Sequence, residues 1–134
     1  METSPFERAG LVPVTFQRSF DARKTLKQFG KLPAGAYVDD AGTHRNPVDA
    51  WALDDSAGLV IHRADDGDYI ISHRSTGRLL SSALFLTTAV ELLKALTPLT
   101  DWAALTYPVT DPDLGRRVRA AIGELAELDE PGPC

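Results

Sequence analysis

The feature that most constrains the fold is an Asp-Gly pair between two β-rich runs. Leu59–Arg63 and Tyr69–Arg74 are rich in branched and aromatic side chains, and they flank the segment Asp65-Asp66-Gly67-Asp68. Such a pair is the strongest short-range signal of a β-hairpin, because Asp bonds to its own backbone and Gly accepts a positive φ. The sequence therefore predicts an antiparallel hairpin over these residues.

Short apolar runs around the hairpin extend it into a β-meander. Tyr37-Val38 and Trp51–Leu53 each precede a turn rich in Asp and Gly, and these turns recur at strand-length spacing. Residues 11–16 are expected to form an edge strand, since Pro13 cannot donate to a central ladder. We predict an antiparallel β-meander of four to five strands from about Ala36 to Leu84.

Three helices are predicted to cover this sheet, near Phe20–Phe29, Ala89–Leu96 and Pro112–Leu128. Ser19 or Asp21 can cap the first, Thr88 and Glu91 form a capping box for the second, and an Asp-Pro pair opens the third. The predicted fold class is α+β, with the meander packed against two or three helices. We expect a single domain over residues 1–134, with flexible ends at 1–10 and 130–134.

The predicted hydrophobic core takes one face of each element. It consists of Leu26, Phe29, Leu53, Ile61, Ile70, Leu92, Leu96, Val118, Ile122 and Leu125. On the first helix this places the apolar residues opposite a basic face made of Arg23, Lys24, Lys27 and Lys31.

Charge and cysteine content limit the compartment and the partners. The formal net charge is −5, which argues against a protein whose whole surface coats nucleic acid. The single cysteine, Cys134, allows no intramolecular disulfide, so we expect a reducing, cytoplasmic compartment. The longest uncharged run, residues 79–90, is too short to span a bilayer, and no membrane partner is expected. Arg-rich, Lys-poor usage indicates a GC-rich bacterial or phage genome.

The two histidines of the hairpin are candidate metal ligands. With a loop of two or four residues Ala64 opposes Tyr69, and His62 and His73 lie on one face as diagonal neighbours. With a loop of three residues one strand shifts by one position and the histidines separate. The turn adds hard oxygen ligands of the kind that Mg²⁺ and Ca²⁺ prefer, the carboxylates of Asp65, Asp66 and Asp68. The alternative is two half-buried sheet histidines beside ordinary solvated turn residues.

Two groups of arginines are candidate binding residues. In the two- or four-residue register Arg63 and Arg74 share one face of the hairpin, and Arg78 follows the next turn. The last helix adds three more near its N-terminus, Arg116, Arg117 and Arg119. Positive charge there opposes the helix macrodipole, so an interaction face or salt bridges would explain it. Asp113 can form an ion pair with Arg117 at the i,i+4 spacing and so offset part of this positive charge.

Part of this region is similar in layout to small three-stranded DNA-binding domains of the integrase-arm and AP2 type. The similarity rests on the order Tyr69, Thr76-Gly77-Arg78, Phe85 and Thr88 followed by a helix, over about thirty residues. It implies an Arg-bearing sheet face directed at the major groove. The third strand, basic in those domains, is here the apolar run Leu79–Leu84, and no family is assigned.

Enzyme signatures are missing from the chain: it has no phosphate-binding glycine loop, no nucleophile elbow and no zinc-binding His-Glu-x-x-His. We therefore expect a small non-enzymatic binding or regulatory protein that acts through a protein partner, of phage or mobile-element origin and without a cofactor. One alternative is a DNA-binding accessory protein that uses the arginines. A second is a small metal-dependent enzyme that uses the sheet histidines and turn aspartates. The oligomeric state is left open.

The charge balance predicts that the protein does not bind duplex DNA at physiological strength. A negative net charge and an apolar third strand remove most of the phosphate-neutralising contacts that supply non-specific affinity. A fluorescence-anisotropy titration across salt should give no binding tighter than about 10⁻⁶ M near physiological salt. Tighter binding that weakens in Arg74→Ala would support the DNA-binding alternative instead.

Overall fold

The structure, a computed structural model, describes residues 4–64, 67–104 and 112–126, with the side chains of residues 125 and 126 left out. In chain order the described elements are α1 (Pro5–Arg8), β1 (Val12–Ser19), α2 (Ala22–Phe29), β2 (Tyr37–Val38), β3 (His44–Ala52), β4 (Leu59–Arg63), β5 (Tyr69–His73), β6 (Leu79–Ala83), α3 (Leu86–Leu96), a short 3-10 helix (Thr97–Leu99) and α4 (Pro112–Ala126). The predicted α+β class is confirmed.

The strands form one antiparallel sheet in the order β1-β3-β4-β5-β6, with β2 paired to the first residues of β3. Strands β3 to β6 are a meander, as predicted, and the sheet gains a sixth strand because β1 pairs with β3 along its whole length. Pro13 lies on this β1 edge strand, where its missing N–H leaves no gap in a central ladder.

The β4–β5 hairpin adopts the register of a three-residue loop. Arg63 pairs with Tyr69, and the Ala64 amide donates to the Asp68 carbonyl at 2.8 Å. The loop ends on Gly67, whose φ of 94° is open to glycine without strain. The register of a two- or four-residue loop, in which Ala64 would oppose Tyr69, is therefore wrong. His62 and His73, which that register placed on one face, lie on opposite faces of the sheet.

Helix α3 lies across one face of the sheet and forms the larger core. Its residues Ala89, Leu92, Leu93 and Leu96 are buried in one cluster with sheet residues that include Leu59, Ile61 and Ile71. The predicted capping box is wrong, since the helix begins at Leu86 and Thr88 is buried within its first turns. Apolar burial, rather than a side-chain cap, stabilises this helix end.

The other face of the sheet is concave, because β1 reaches the turn that follows β5. The Ser19 amide donates to the Gly77 carbonyl at 2.9 Å, and the Arg74 guanidinium donates to the Thr15 carbonyl at 3.3 Å. Apolar side chains fill the inside of this curve: the second buried cluster consists of Phe16 and three smaller residues, Ala50, Ala52 and Val60. Gly77 permits the approach, since a Cβ there would lie 2.6 Å from the Gln17 carbonyl oxygen.

Helix α2 differs most from its prediction. Asp21 caps it by accepting from the Arg23 and Lys24 amides, and Gly30 ends it with a left-handed φ of 74°, as the sequence predicts. It buries no residue, however, and Leu26 and Phe29 are 46% and 57% exposed. Placing these two side chains in the core was wrong. The helix forms because of its caps, and no neighbouring element of the described ranges covers its apolar face.

Most of the other predicted core residues are found in or against the larger buried cluster. Ile61, Leu92 and Leu96 are buried in it, and Leu53, Val118 and Ile122 pack against it. Ile70 is half-buried and belongs to neither cluster. The side chain of Leu125 lies outside the described residues. Near the N-terminus, where a flexible arm was expected, Pro5–Arg8 form one helical turn, and the Phe6 ring stacks on Trp51 at 5.1 Å.

A pair of glycine substitutions tests the closure between β1 and the turn after β5. Gly77 and Gly30 both have a positive φ, near 73° and 74°, but only Gly77 is close to other backbone atoms. We expect Gly30→Ala to lower the free energy of unfolding by about 1 kcal/mol through backbone strain. Gly77→Ala should cost a further 1–3 kcal/mol or so, because β1 must move away. Equal losses in urea unfolding would contradict the closure.

Candidate functional site

The six candidate arginines do not form one surface. Arg63 lies at the tip of the hairpin, with its guanidinium over the Tyr69 ring, and Arg74 lies at the other end, bonded to carbonyls of β1 and of the β3–β4 turn. Five strand residues, roughly 16 Å, separate them. Arg116 and Arg117 both pair with Asp113, at 3.3 and 3.2 Å, so the predicted i,i+4 pair is present. Arg78 and Arg119 are the two members that line the same cavity, beside α4.

His62 lies on the concave face beside Ser72. Its Nε2 is 3.0 Å from the Ser72 hydroxyl, its ring packs at 5.1 Å from Phe16, and its Nδ1 is buried without a hydrogen bond. Burial, and then the positive charge of Arg18, lower the pKa of His62 from 6.5 to about 4. A histidine beside a serine resembles a base and a nucleophile, but both side chains are at most 3% exposed. Substrate could not reach this hydroxyl without unfolding the sheet.

His73 lies on the opposite face, where it links two loops. Its Nε2 is 2.6 Å from the Trp102 carbonyl oxygen and its Nδ1 is 2.8 Å from the Thr76 hydroxyl. A carbonyl only accepts, so Nε2 carries a proton and donates it. Both ring nitrogens are thus engaged in holding the β5–β6 turn against the segment around Trp102. The role of His73 in this geometry is structural.

The described residues assemble no metal site from the predicted ligands. His62 and His73 are on opposite faces, and Asp65 and Asp66 lie outside the described residues. Over the described ranges, no three His, Cys, Asp or Glu side chains come together as a metal would require.

The aspartates of the other turns bond locally. Asp39 accepts from the Thr43 and Ala41 amides and from Arg45, and these bonds, with that to Thr43 first, hold its pKa below the usual value. Asp54 likewise accepts from the hydroxyl and amide of Ser56, which lowers its pKa. Both carboxylates therefore act as turn-forming residues.

A cavity of about 490 Å³ lies between the β5–β6 turn, β6 and α4. Its apolar lining consists of Leu79, Leu80, Trp102, Leu114, Val118 and Ile122. Its polar lining includes Ser19, His73, Thr76, Arg78 and Arg119. The size falls within the range of roughly 300–1,000 Å³ typical of small-molecule sites, and the mainly apolar lining with a few polar groups is also typical of them.

A second feature is the exposed segment from α2 to β2, hereafter the α2–β2 segment. It carries five large apolar side chains between 39% and 57% exposed, those of Leu26, Phe29, Leu32, Tyr37 and Val38. The same stretch holds four cations, Arg23, Lys24, Lys27 and Lys31. Three of the four lysines of the chain are among them. This density of lysine beside an apolar stripe is the signal by which the sequence could have identified the exposed helix.

Comparison of the chain with protein-family models, with curated proteins and with solved structures finds no match. Among the helices of the described residues, none has both the length and the apolar character that a membrane span requires.

The buried His62 makes the stability of the fold depend on pH. Above pH 6.5 the ring is neutral in the folded and unfolded chains, whereas between pH 6.5 and 4 only the unfolded chain binds the proton. The free energy of unfolding should therefore fall as the pH is lowered through this window, by up to about 3 kcal/mol from this group. Urea unfolding at pH 7 and pH 4.5 should show a smaller fall in His62→Gln than in the unmodified protein. Equal falls would mean that His62 is not buried as a neutral ring.

Proposed function

We propose that this chain is a small non-enzymatic binding protein that acts through a protein partner, with the α2–β2 segment as its recognition surface. The observation that carries this proposal is a strongly amphipathic helix that buries none of its residues. Leu26 and Phe29, three positions apart, lie on one side of α2, and both are about half exposed. Exposed large apolar groups of this kind, rimmed by polar residues, are typical of protein interaction sites.

The charges of the segment favour an acidic partner. Residues 21–38 contain four cations and one carboxylate, in a chain whose net charge is −5. The surface to be recognised should therefore present an apolar patch surrounded by Asp and Glu side chains. Complementary charges speed the encounter and select against wrong partners, while the buried aromatic groups supply most of the affinity.

The same charges disfavour a symmetric dimer through this surface. A two-fold interface would bring the same patch of both copies together, and with it eight cations. Like charges facing one another in an interface cost several kcal/mol or so. A different, acidic chain meets no such repulsion.

The two alternative functions have less support from the arrangement of their residues. The DNA-binding alternative needs Arg63, Arg74 and Arg78 on one face, and the first two are at opposite ends of the hairpin. The enzymatic alternative needs an accessible nucleophile or ligand set, and the His62–Ser72 pair is enclosed. A binding surface on the α2–β2 segment requires neither arrangement.

The test compares two phenylalanines of nearly equal exposure. Phe29 lies on the α2–β2 segment and Phe85 lies elsewhere, before α3, and they are 57% and 56% exposed. A partner captured from a lysate of the source organism is purified and titrated calorimetrically against each variant. Phe29→Ser should weaken binding at least about tenfold, as truncation of an aromatic anchor does. Phe85→Ser should leave the affinity unchanged, and both variants should keep the melting temperature.

A matched pair of lysines tests the electrostatic part. Lys27→Gln should weaken binding and reduce its salt dependence, whereas Lys94→Gln, on α3, should do neither. Equal binding by Phe29→Ser and the unmodified protein would refute the proposal. Sedimentation with phosphatidylglycerol vesicles that depends on Phe29 would also overturn it, because the surface would then recognise a lipid.

A further inference from the structure

The α2–β2 segment selects for a ligand that combines carboxylates with apolar side chains. Its exposed apolar groups lie among four cations, and residues 21–38 contain one carboxylate, that of Asp21. Asp21 is occupied at the start of α2, where it accepts from two backbone amides. Over the described ranges, none of the four cations forms an ion pair. Their positive charge is therefore available to a negatively charged ligand.

The chain itself contains a stretch with the matching chemistry, just after the described part of α4. Residues 127–130, hereafter the acidic stretch, have the order Glu-Leu-Asp-Glu, three carboxylates around one leucine. Residues 120–134 contain no lysine or arginine, so no cation close in sequence neutralises this charge. By contrast, the carboxylates of Asp39 and Asp54 already accept bonds within their own turns.

Helices α4 and α2 lie on two sides of the end of β1. Ile122, one helical turn before the last described residue of α4, lines the cavity beside α4 together with Ser19. Ser19 also lines a second cavity, together with Ala22 and Arg23 at the start of α2. The acidic stretch itself lies outside the described residues, and four residues span up to about 14 Å of extended chain. The α2–β2 segment is thus within its reach in the same molecule.

We infer that the acidic stretch docks on the α2–β2 segment of its own molecule and competes there with the protein partner. Leu128 lies against the exposed apolar groups, and the three carboxylates lie among the cations. A ligand tethered through a short linker has an effective concentration of about a millimolar, so even a weak contact is populated. The partner then binds only the fraction of molecules in which the surface is open. This competition rests on the proposed function, whereas the contact itself does not.

The single cysteine of the chain allows the contact to be measured without any partner. Cys134 lies four residues beyond the acidic stretch and can carry a nitroxide spin label. In the full-length protein at low salt, the label should broaden the amide NMR signals of residues 26–31. The variant Glu127→Gln/Asp129→Asn/Glu130→Gln, hereafter the neutralised variant, should lose at least half of this broadening. Salt at 0.5 M or so should have the same effect, because it screens exposed charges.

A second triple variant provides the matched control. Asp49→Asn/Asp55→Asn/Asp101→Asn changes the net charge by the same amount at three exposed positions on other elements. It should keep the broadening of the unmodified protein. Equal broadening in the neutralised variant and the unmodified protein would overturn the inference. Broadening that arises only between spin-labelled and isotope-labelled molecules in a mixture would overturn it too, because the contact would then join two copies.

Calorimetry with the purified partner tests the competition. The neutralised variant should bind the partner about five to ten times more tightly than the unmodified protein, and the control variant should bind it with unchanged affinity. Equal affinities of the neutralised variant and the unmodified protein would overturn the competition. If Phe29→Ser leaves partner binding unchanged while the neutralised variant loses its broadening, the proposed function fails and the contact is supported. The two failures are therefore distinguishable.

Discussion

The register of the β4–β5 hairpin determines the rest of this structure. Side chains alternate between the two faces of a strand, so a shift by one residue would exchange the buried and exposed sets of a whole strand. The three-residue loop that ends on Gly67 aligns Ile61 with Ile71. Both side chains then face α3, and β3 and β6 pair with the outer edges of these two strands. The same register places His62 inside the curved sheet and His73 against Trp102.

Once the register is set, the two histidines acquire different physical tasks. His62 enters a region of apolar side chains, where burial favours the neutral ring and lowers its pKa. His73 instead has a partner for each ring nitrogen and holds the β5–β6 turn near the segment around Trp102. That link helps to shape the cavity beside α4, because Thr76, Arg78 and Trp102 all line it.

The two candidate surfaces use positive charge in different ways. On the α2–β2 segment lysines surround exposed apolar groups, a pattern suited to a large acidic surface. The cavity beside α4 is instead lined mainly by apolar side chains, with Arg78 and Arg119 among its polar lining residues. Elsewhere, Arg45 and Arg117 pair with aspartates, and Arg74 bonds to backbone carbonyls.

Much of the local structure follows from the sequence alone. Asp21 and Gly30 determine the ends of α2, Pro13 indicates an edge strand, and the apolar spacing in residues 112–126 predicts α4, because caps, ring constraints and periodicity act over a few residues. Tertiary structure decided the hairpin register, the exposure of Leu26 and Phe29, and the start of α3. In each case the deciding contact comes from a distant part of the chain. Pairing between strands chooses among loop lengths that are all locally allowed, and an amphipathic helix is buried only if another element reaches its apolar face. The position of Arg78 and Arg119 at one cavity has the same origin, since the two residues are far apart in the chain and share no pattern in sequence.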